Sequence, residues 1–497
     1  MIRLYFIFCL TIISQVARSQ SSGALVLPGD FPDPSVVKIG DAYWATATTS
    51  NWAPVFPILQ STDLFHWESK GQVFTKLPDW ADYYFWAPEI SYDNGRIYVY
   101  YSAHKKNGNL CLAVASADKP EGPYTDHGPL MCQAAGSIDG FPMRDETGKL
   151  YLIWKEDGNS VKQPTPIWAI QMKEDRTGFI GEPVELFRND ADWEGNLVEG
   201  VSMIREGDYY YAFYAGAGCC GRECTYAVGI ARSKKLLGPW EKYDKNPVLD
   251  ESGDWKCPGH GTPVKHNGKN FFLYHAYNKT SDVYAGRQGL LQEFRFTSDG
   301  WIAFVNTAQA ESPLPKEIVD DFTDADLGAE WQWSVFDSAQ PVVRNGKLDL
   351  AANNTTGGAF VGFKSLTDSY QAEVKILLKG SSATAGLGLI GDDKNMVRVL
   401  ITKDKLVLSK VDNGKDIILG ENVFKPSETI FLRMAVKNGA QISFAYSGDG
   451  KNYQPLNDQP IDGKFLPPWD RAVRIGLISK GSSAQKAIFE KFVLRNE

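Results

Sequence analysis

The sequence predicts an all-β protein, a five-bladed β-propeller followed by an antiparallel, jelly-roll-like β-sandwich. Three observations predict it. A turn-and-strand phrase recurs five times, chemistry-bearing residues stand at one shared repeat position, and the composition changes near residue 307. The phrase reads Ile39-Gly40-Asp41-Ala42-Tyr43-Trp44, then Asp93-Asn94-Gly95-Arg96-Ile97-Tyr98, then Glu146-Thr147-Gly148-Lys149-Leu150-Tyr151. It returns as Arg205-Glu206-Gly207-Asp208-Tyr209-Tyr210 and as His266-Asn267-Gly268-Lys269-Asn270-Phe271. Each copy is a hairpin: a strand, a turn that favours positive φ, and a second strand of aromatic and β-branched residues. Five copies at a long period indicate a repeat fold, and four-stranded units at that period indicate a propeller. Aromatic content of 12%, with 46 Gly and 26 Pro, suits many short strands and tight turns.

Taken in order, residues 1–19 read as a signal peptide. Met1-Ile2-Arg3 is a basic start, Leu4 to Ile13 is apolar, and Ala17-Arg18-Ser19 has the small-x-small form of a cleavage site. The apolar run is too short to span a bilayer, so export to the periplasm or the exterior is expected. Residues 20–306 form the propeller, of which 20–30 are a short leader. Unit one runs to about Trp67, unit two over about 86–125, unit three over about 137–186 and unit five over about 258–306. A second phrase ends units two and four, at Ala115–Tyr124 and Ala231–Trp240. Residues 307–317, rich in turn formers and Pro, form a linker. Residues 318–497 alternate apolar and polar positions, as at Tyr370–Ile376, Val397–Ile401 and Ile442–Tyr446. That pattern suits strands with one buried and one wet face. The linker is short enough that the sandwich is expected to pack on the propeller.

Without Cys9, which falls in the signal, six cysteines remain: Cys111, Cys132, Cys219, Cys220, Cys224 and Cys257. An even count in an exported chain favours disulfides. The expectation is that they staple the fourth unit's cysteine-rich insertion and its neighbour. A net charge of −8 without basic runs excludes a nucleic-acid surface; a monomer without a membrane span is expected.

The shared repeat position is occupied by Asp33, Trp86, Asp139, Glu199 and His260, spaced by 53, 53, 60 and 61 residues on subtraction. Each opens the innermost strand of its unit, so three carboxylates, a tryptophan and a histidine converge on one central funnel. Two carboxyls facing a cavity are the minimum equipment for breaking a glycosidic bond, one donating a proton and the other activating water or attacking carbon. Pro32 and Pro34 are expected to hold Asp33 extended, and it is read as the general base. Glu199, between Val198 and Gly200-Val201, is read as the general acid, its pKa raised by apolar surroundings. Asp139 is the third acid, tuning and orienting the other two. Trp86, Phe31 and Phe141 are read as rings that contact substrate.

These segments, Phe31-Pro32-Asp33-Pro34, Trp86-Ala87-Pro88, Ser137-Ile138-Asp139, Val198-Glu199-Gly200, Gly259-His260-Gly261 and Gly286-Arg287-Gln288, resemble glycoside hydrolase family 43. The resemblance covers about residues 28–306. It implies an inverting enzyme acting on plant cell-wall glycans, with Asp33, Asp139 and Glu199 as the catalytic trio and Arg287 touching substrate. It also implies that His260 lies near a hydrated structural calcium ion at the axis; the chemistry itself requires no cofactor. The expected activity is exo-acting release of terminal pentose, foremost α-L-arabinofuranosyl, with β-xylosidase or exo-β-galactosidase as alternatives. A non-catalytic carbohydrate-binding propeller is the alternative of another class.

Overall fold

The computed structural model describes residues 23–307, 314–337, 341–425 and 427–497. The expected signal peptide and the middle of the expected linker lie outside the described residues.

Five antiparallel sheets stand around one axis. Blade one comprises Ser35–Ile39, Ala42–Thr46, Val55–Ser61 and Glu68–Phe74. Blade two comprises Ala81–Asp93, Arg96–Lys105, Leu110–Ala117 and Thr125–Met131. Blade three comprises Ser137–Arg144, Leu150–Glu156, Ile167–Met172 and Phe179–Phe187. Blade four comprises Val198–Glu206, Tyr209–Gly216, Ala227–Ser233 and Glu241–Lys242. The first strand of each blade touches the first strand of the next, and blade five returns to blade one, so the ring is closed.

Blade five differs from its expected form. It comprises Trp255–His266, Lys269–Asn278 and Arg287–Phe296, and Arg287–Phe296 pairs further with Ala24–Leu27 from the other end of the chain and, through its last residues, with Ile302–Phe304. The stretch read as a leader is therefore part of the last blade. A propeller must pair its final edge, and a strand from the opposite terminus does so while tying the ring shut. Four apolar residues carry no alternation, which left this strand invisible in the sequence.

Beyond the propeller, two large sheets pack face to face. Val374, Leu432, Phe444 and Phe489 of one sheet meet Leu387, Val399 and Leu477 of the other in a fully buried core. Tyr370–Leu377 alternates strictly between buried and part-exposed positions, as its sequence pattern predicts. The sandwich packs on the propeller. Trp52–Ala53, from within blade one, pairs with Trp331–Ser334 at the edge of a sandwich sheet. The Trp52 ring sinks into a cluster with Phe360, Ile390, Met396 and Ile478. Buried Asp30 of the propeller accepts hydrogen bonds from Arg474 Nη2 at 3.0 Å and the Ala472 backbone N–H at 3.2 Å.

All six remaining cysteines are paired: Cys111–Cys132 in blade two, Cys219–Cys220 between adjacent residues, and Cys224–Cys257 between blades four and five. Among the described residues, no helix is long and apolar enough to cross a membrane.

Candidate active site

The shared repeat position has a backbone device behind it. The first strands of blades two to five each break register there, between Trp86 and Glu89, Ile138 and Phe141, Glu199 and Ser202, and Gly259 and Gly261. Within or beside these bulges Ala87, Asp139, Gly200 and His260 have positive φ. A bulge inserts an unpaired residue and re-aims its side chain, here into the axial funnel. Asp33 has φ 49°, so its backbone is left-handed rather than extended as its flanking prolines suggest. Aspartate tolerates that region better than most residues. Its backbone N–H is fixed there by donating to His275 Nδ1 at 3.0 Å. Gly200 is required twice over. Its φ is +62°, and a Cβ there would lie 2.7 Å from the His260 ring.

The residues converge on a cavity of about 320 Å³ at the mouth of the funnel, within the size range of small-molecule sites. Asp33, Trp86, Asp139, Glu199, His260 and Arg287 all line it. Asp33 accepts from Arg287 Nη1 at 2.9 Å and from the Thr48 hydroxyl at 2.7 Å. Burial pushes its carboxyl up, yet the Arg287 guanidinium, the His275 hydrogen bond and the neighbouring imidazoles outweigh that and hold it far below the usual carboxylate range. Asp33 is ionised. Asp139 Oδ2 accepts from the Gly200 backbone N–H at 2.9 Å. Burial, partly offset by His260 and reinforced by the Glu199 carboxylate, raises the Asp139 pKa to about 6.

Glu199 corrects an expectation. Its surroundings are buried but not apolar in effect. Lys155 Nζ donates to Oε2 at 2.6 Å and the Tyr226 hydroxyl donates to Oε1 at 2.8 Å. Burial is the largest single influence and raises its pKa, but the Lys155 ammonium, with the Tyr226 hydroxyl and His260, together outweigh it and hold the pKa below the usual value. Asp139, not Glu199, is therefore the acid whose pKa is raised. Lys155 is only 1% exposed and also donates to Asp157 at 2.9 Å.

Two predicted rings do not reach the cavity. Phe141 is buried among Ile153, Val198 and Tyr214; the bulge that turns Asp139 inward turns Phe141 between the blades. Phe31 packs with Val36, Ala45 and Leu291, and the Lys364 ammonium of the sandwich stands 3.7 Å from its ring centre. Trp86 does line the cavity. It stacks on Tyr84 with ring centres 4.2 Å apart, and its Nε1 donates to the Ser50 hydroxyl at 3.0 Å.

His260 stands with Nδ1 3.7 Å from Asp33 Oδ1. Calcium takes about six to eight oxygen ligands. Among the described residues, no three His, Cys, Asp or Glu side chains gather into a metal-binding group, and Asp33 is already paired with Arg287. This donor set does not fit a directly held calcium ion.

Several site residues were not foreseen: Lys155, Tyr226, His275, Thr48 and, from the sandwich, Trp469 and Asp470. His275 carried a signal, being a polar residue inside the apolar run Phe271–Ala276 of its strand, whereas Lys155 stands beside Glu156 at the end of its own strand and carried none. Asp470 carried none. Its carbonyl accepts from Arg287 Nη2 at 3.1 Å, and its carboxylate accepts from the Ser50 hydroxyl that holds Trp86. Trp469 meets Trp86 edge-on at 6.0 Å across the rim.

The chain matches two family models, "Glycosyl hydrolases family 43" over residues 24–302 and "Beta xylosidase C-terminal Concanavalin A-like domain" over residues 319–468. It is 28% identical over 269 residues to a Xylan 1,3-beta-xylosidase of Vibrio sp, covering 50% of this chain and 48% of that one, about half its length. It is 26% identical over 425 residues to the non-reducing end alpha-L-arabinofuranosidase BoGH43B of Bacteroides ovatus, covering 76% of this chain and 75% of that one. The crystal structure of the GH43 BlXynB protein from Bacillus licheniformis superposes with a TM-score of 0.80 at 24% identity, covering 96% of this chain and all of that one. That likeness shows the fold.

Proposed function

The chain belongs to glycosyl hydrolases family 43 and is a glycoside hydrolase; from that premise we propose that it releases terminal pentose from plant cell-wall glycans with inversion, foremost α-L-arabinofuranosyl. The observation that carries the reading is a single cavity holding three buried carboxyls in different electrostatic settings. Asp33, His260 and Arg287 line the same cavity as Trp86 and Glu199. The names of the relatives support pentosyl substrates, and they divide between xylosidase and arabinofuranosidase. β-Xylosidase is therefore the alternative to test first. With all three acids in the cavity, the non-catalytic alternative is set aside.

In this reading Asp33, kept ionised by Arg287, deprotonates the attacking water. Glu199 protonates the leaving oxygen on the opposite face of the sugar. Asp139 holds the trio's exchangeable proton near neutrality and gives it up as Glu199 takes one up when substrate expels water, so the charge of the pair is unchanged. Desolvation is the largest influence on Glu199, and a sugar filling the cavity strengthens it, moving Glu199 towards its protonated form. Inversion requires roughly 6.5–9.5 Å between the two working carboxyls, to admit water. Proton NMR of the first-formed sugar tests this: a product with the anomeric configuration of the substrate would overturn inversion. A panel of aryl α-L-arabinofuranosides, β-xylosides and β-galactosides tests the sugar.

Lys155 supplies a further expected result. Its ammonium favours ionised Glu199, so Lys155→Met favours the protonated acid. The basic limb of the kcat/KM profile, which reports loss of that proton, moves to higher pH, by about one unit or more. A limb that stays put or moves to lower pH contradicts the assignment of Glu199 as proton donor.

The three disulfides support an exported protein. A monomer is consistent with a cavity that one chain completes alone.

A further inference from the structure

The Cys219–Cys220 disulfide lies in the wall of the cavity, and none of the chemistry above uses it. Its place in the fold is specific. Glu199 pairs with Ala215 across the first two strands of blade four, and the chain leaves the second strand at Gly216. The loop returns through Tyr226, whose hydroxyl holds Glu199. The disulfide is therefore carried by the loop that rises directly beside the proposed proton donor.

This loop is held independently of that bond. The Thr225 backbone N–H donates to the Gly218 carbonyl at 2.9 Å, and the Gly221 N–H donates to the Tyr277 hydroxyl at 3.3 Å. Arg222 pairs with Asp282, and Cys224 is bonded to Cys257. A second bond between neighbouring residues adds little to such anchoring. What it does is present a small, rigid, apolar and polarisable face where two free thiols would be mobile. Cys219 packs with Leu197, another residue of the same wall.

Opposite chemistry stands nearby. Asn159, on the short turn Gly158–Val161 of blade three, lines the cavity, and its Oδ1 has no hydrogen-bond partner. A buried amide oxygen without a partner costs free energy that a ligand hydroxyl would recover. An apolar face and an unsatisfied amide in one cavity are the combination that recognises a sugar ring, whose C–H face is apolar and whose edge carries hydroxyls.

We propose that Cys219–Cys220 and Asn159 form the subsite for the leaving-group sugar, a pyranosyl unit whose C–H face lies on the disulfide and whose hydroxyl donates to Asn159. This rests on the reading of Glu199 as proton donor. In an inverting displacement water attacks from the Asp33 side, so the leaving group departs on the Glu199 side, where the disulfide stands.

The test compares two substrates of the same terminal pentose: an oligosaccharide with a pyranose at the leaving position, and the pentosyl fluoride, whose leaving group has no ring. Cys219→Ser/Cys220→Ser should lower kcat/KM for the oligosaccharide roughly tenfold, the scale of one lost apolar contact face, and leave the fluoride within about twofold. Asn159→Ala, which leaves every disulfide intact, should show the same selective loss. Equal losses on both substrates would mark a merely structural role, and no loss on either would remove the subsite; each overturns the proposal. A wild-type enzyme inactive on both pentosyl substrates would instead overturn the reading on which it rests.

Discussion

Asp33→Asn should lower turnover by on the order of ten-thousandfold, the upper range for loss of a general base. The substitution is nearly isosteric, so Thr48 and the backbone bond to His275 can persist. What disappears is the charge that activates water and neutralises Arg287, whose side chain is 5% exposed. Stranding that cation should also cost about 3–5 kcal/mol of stability, so the measurement is single turnover per folded molecule, with melting recorded alongside. Asp33→Ala should be as inactive, and added azide should restore part of the rate by replacing the water. Glu199→Ala should behave differently, keeping more activity on substrates whose leaving group needs no proton. A folded Asp33→Asn protein within about a hundredfold of wild type would remove Asp33 from the chemistry.

The second large effect belongs to the sandwich. A chain ending at residue 307 should be inactive and poorly soluble, although it keeps every residue of the proposed catalytic trio. Truncation strips Phe360, Ile390 and Ile478 from Trp52, which is 2% exposed in the whole chain. It leaves Asp30 without Arg474 and leaves Arg287 without the Asp470 carbonyl. Trp52→Ala in the full chain isolates the packing contribution and should cost about 3–5 kcal/mol. Asp470→Ala isolates the link to the site. It removes the carboxylate that orients Ser50 and so Trp86, and should raise KM more than it lowers kcat. A truncated protein with full activity and an unchanged melting temperature would show the sandwich to be a passenger.

Local repetition made the propeller legible. The Asn-Gly-type turns fixed the hairpins, and their spacing put Asp33, Asp139 and Glu199 at equivalent places before any packing was known. The bulges were not legible, because register breaks depend on which backbone groups find partners across the sheet. They explain why Asp139 faces the cavity while Phe141, two residues on, does not. The Glu199 environment failed for a related reason. Its sequence neighbours Val198 and Val201 are apolar, but the ammonium that does most to lower its pKa is that of Lys155, 44 positions away. Contacts of that range are topological, and only the packing of blade three against blade four brings the two residues together. Trp469 and Asp470 lay further still beyond inference, in a region whose sequence advertises a sandwich and nothing of a cavity.

The shared edge between Trp52–Ala53 and Trp331–Ser334 also bears on how the protein is made. Ala53 and Trp333 are partners, and 280 residues separate them by subtraction. At ribosomal rates of about 5–20 residues per second, the first waits on the order of 15–60 seconds for the second. During that interval the nascent propeller carries an unpaired strand and an uncovered tryptophan, the kind of surface that chaperones bind and neighbouring chains adhere to. The exposed interval thus runs from the synthesis of blade one until Trp331–Ser334 emerges to pair with it.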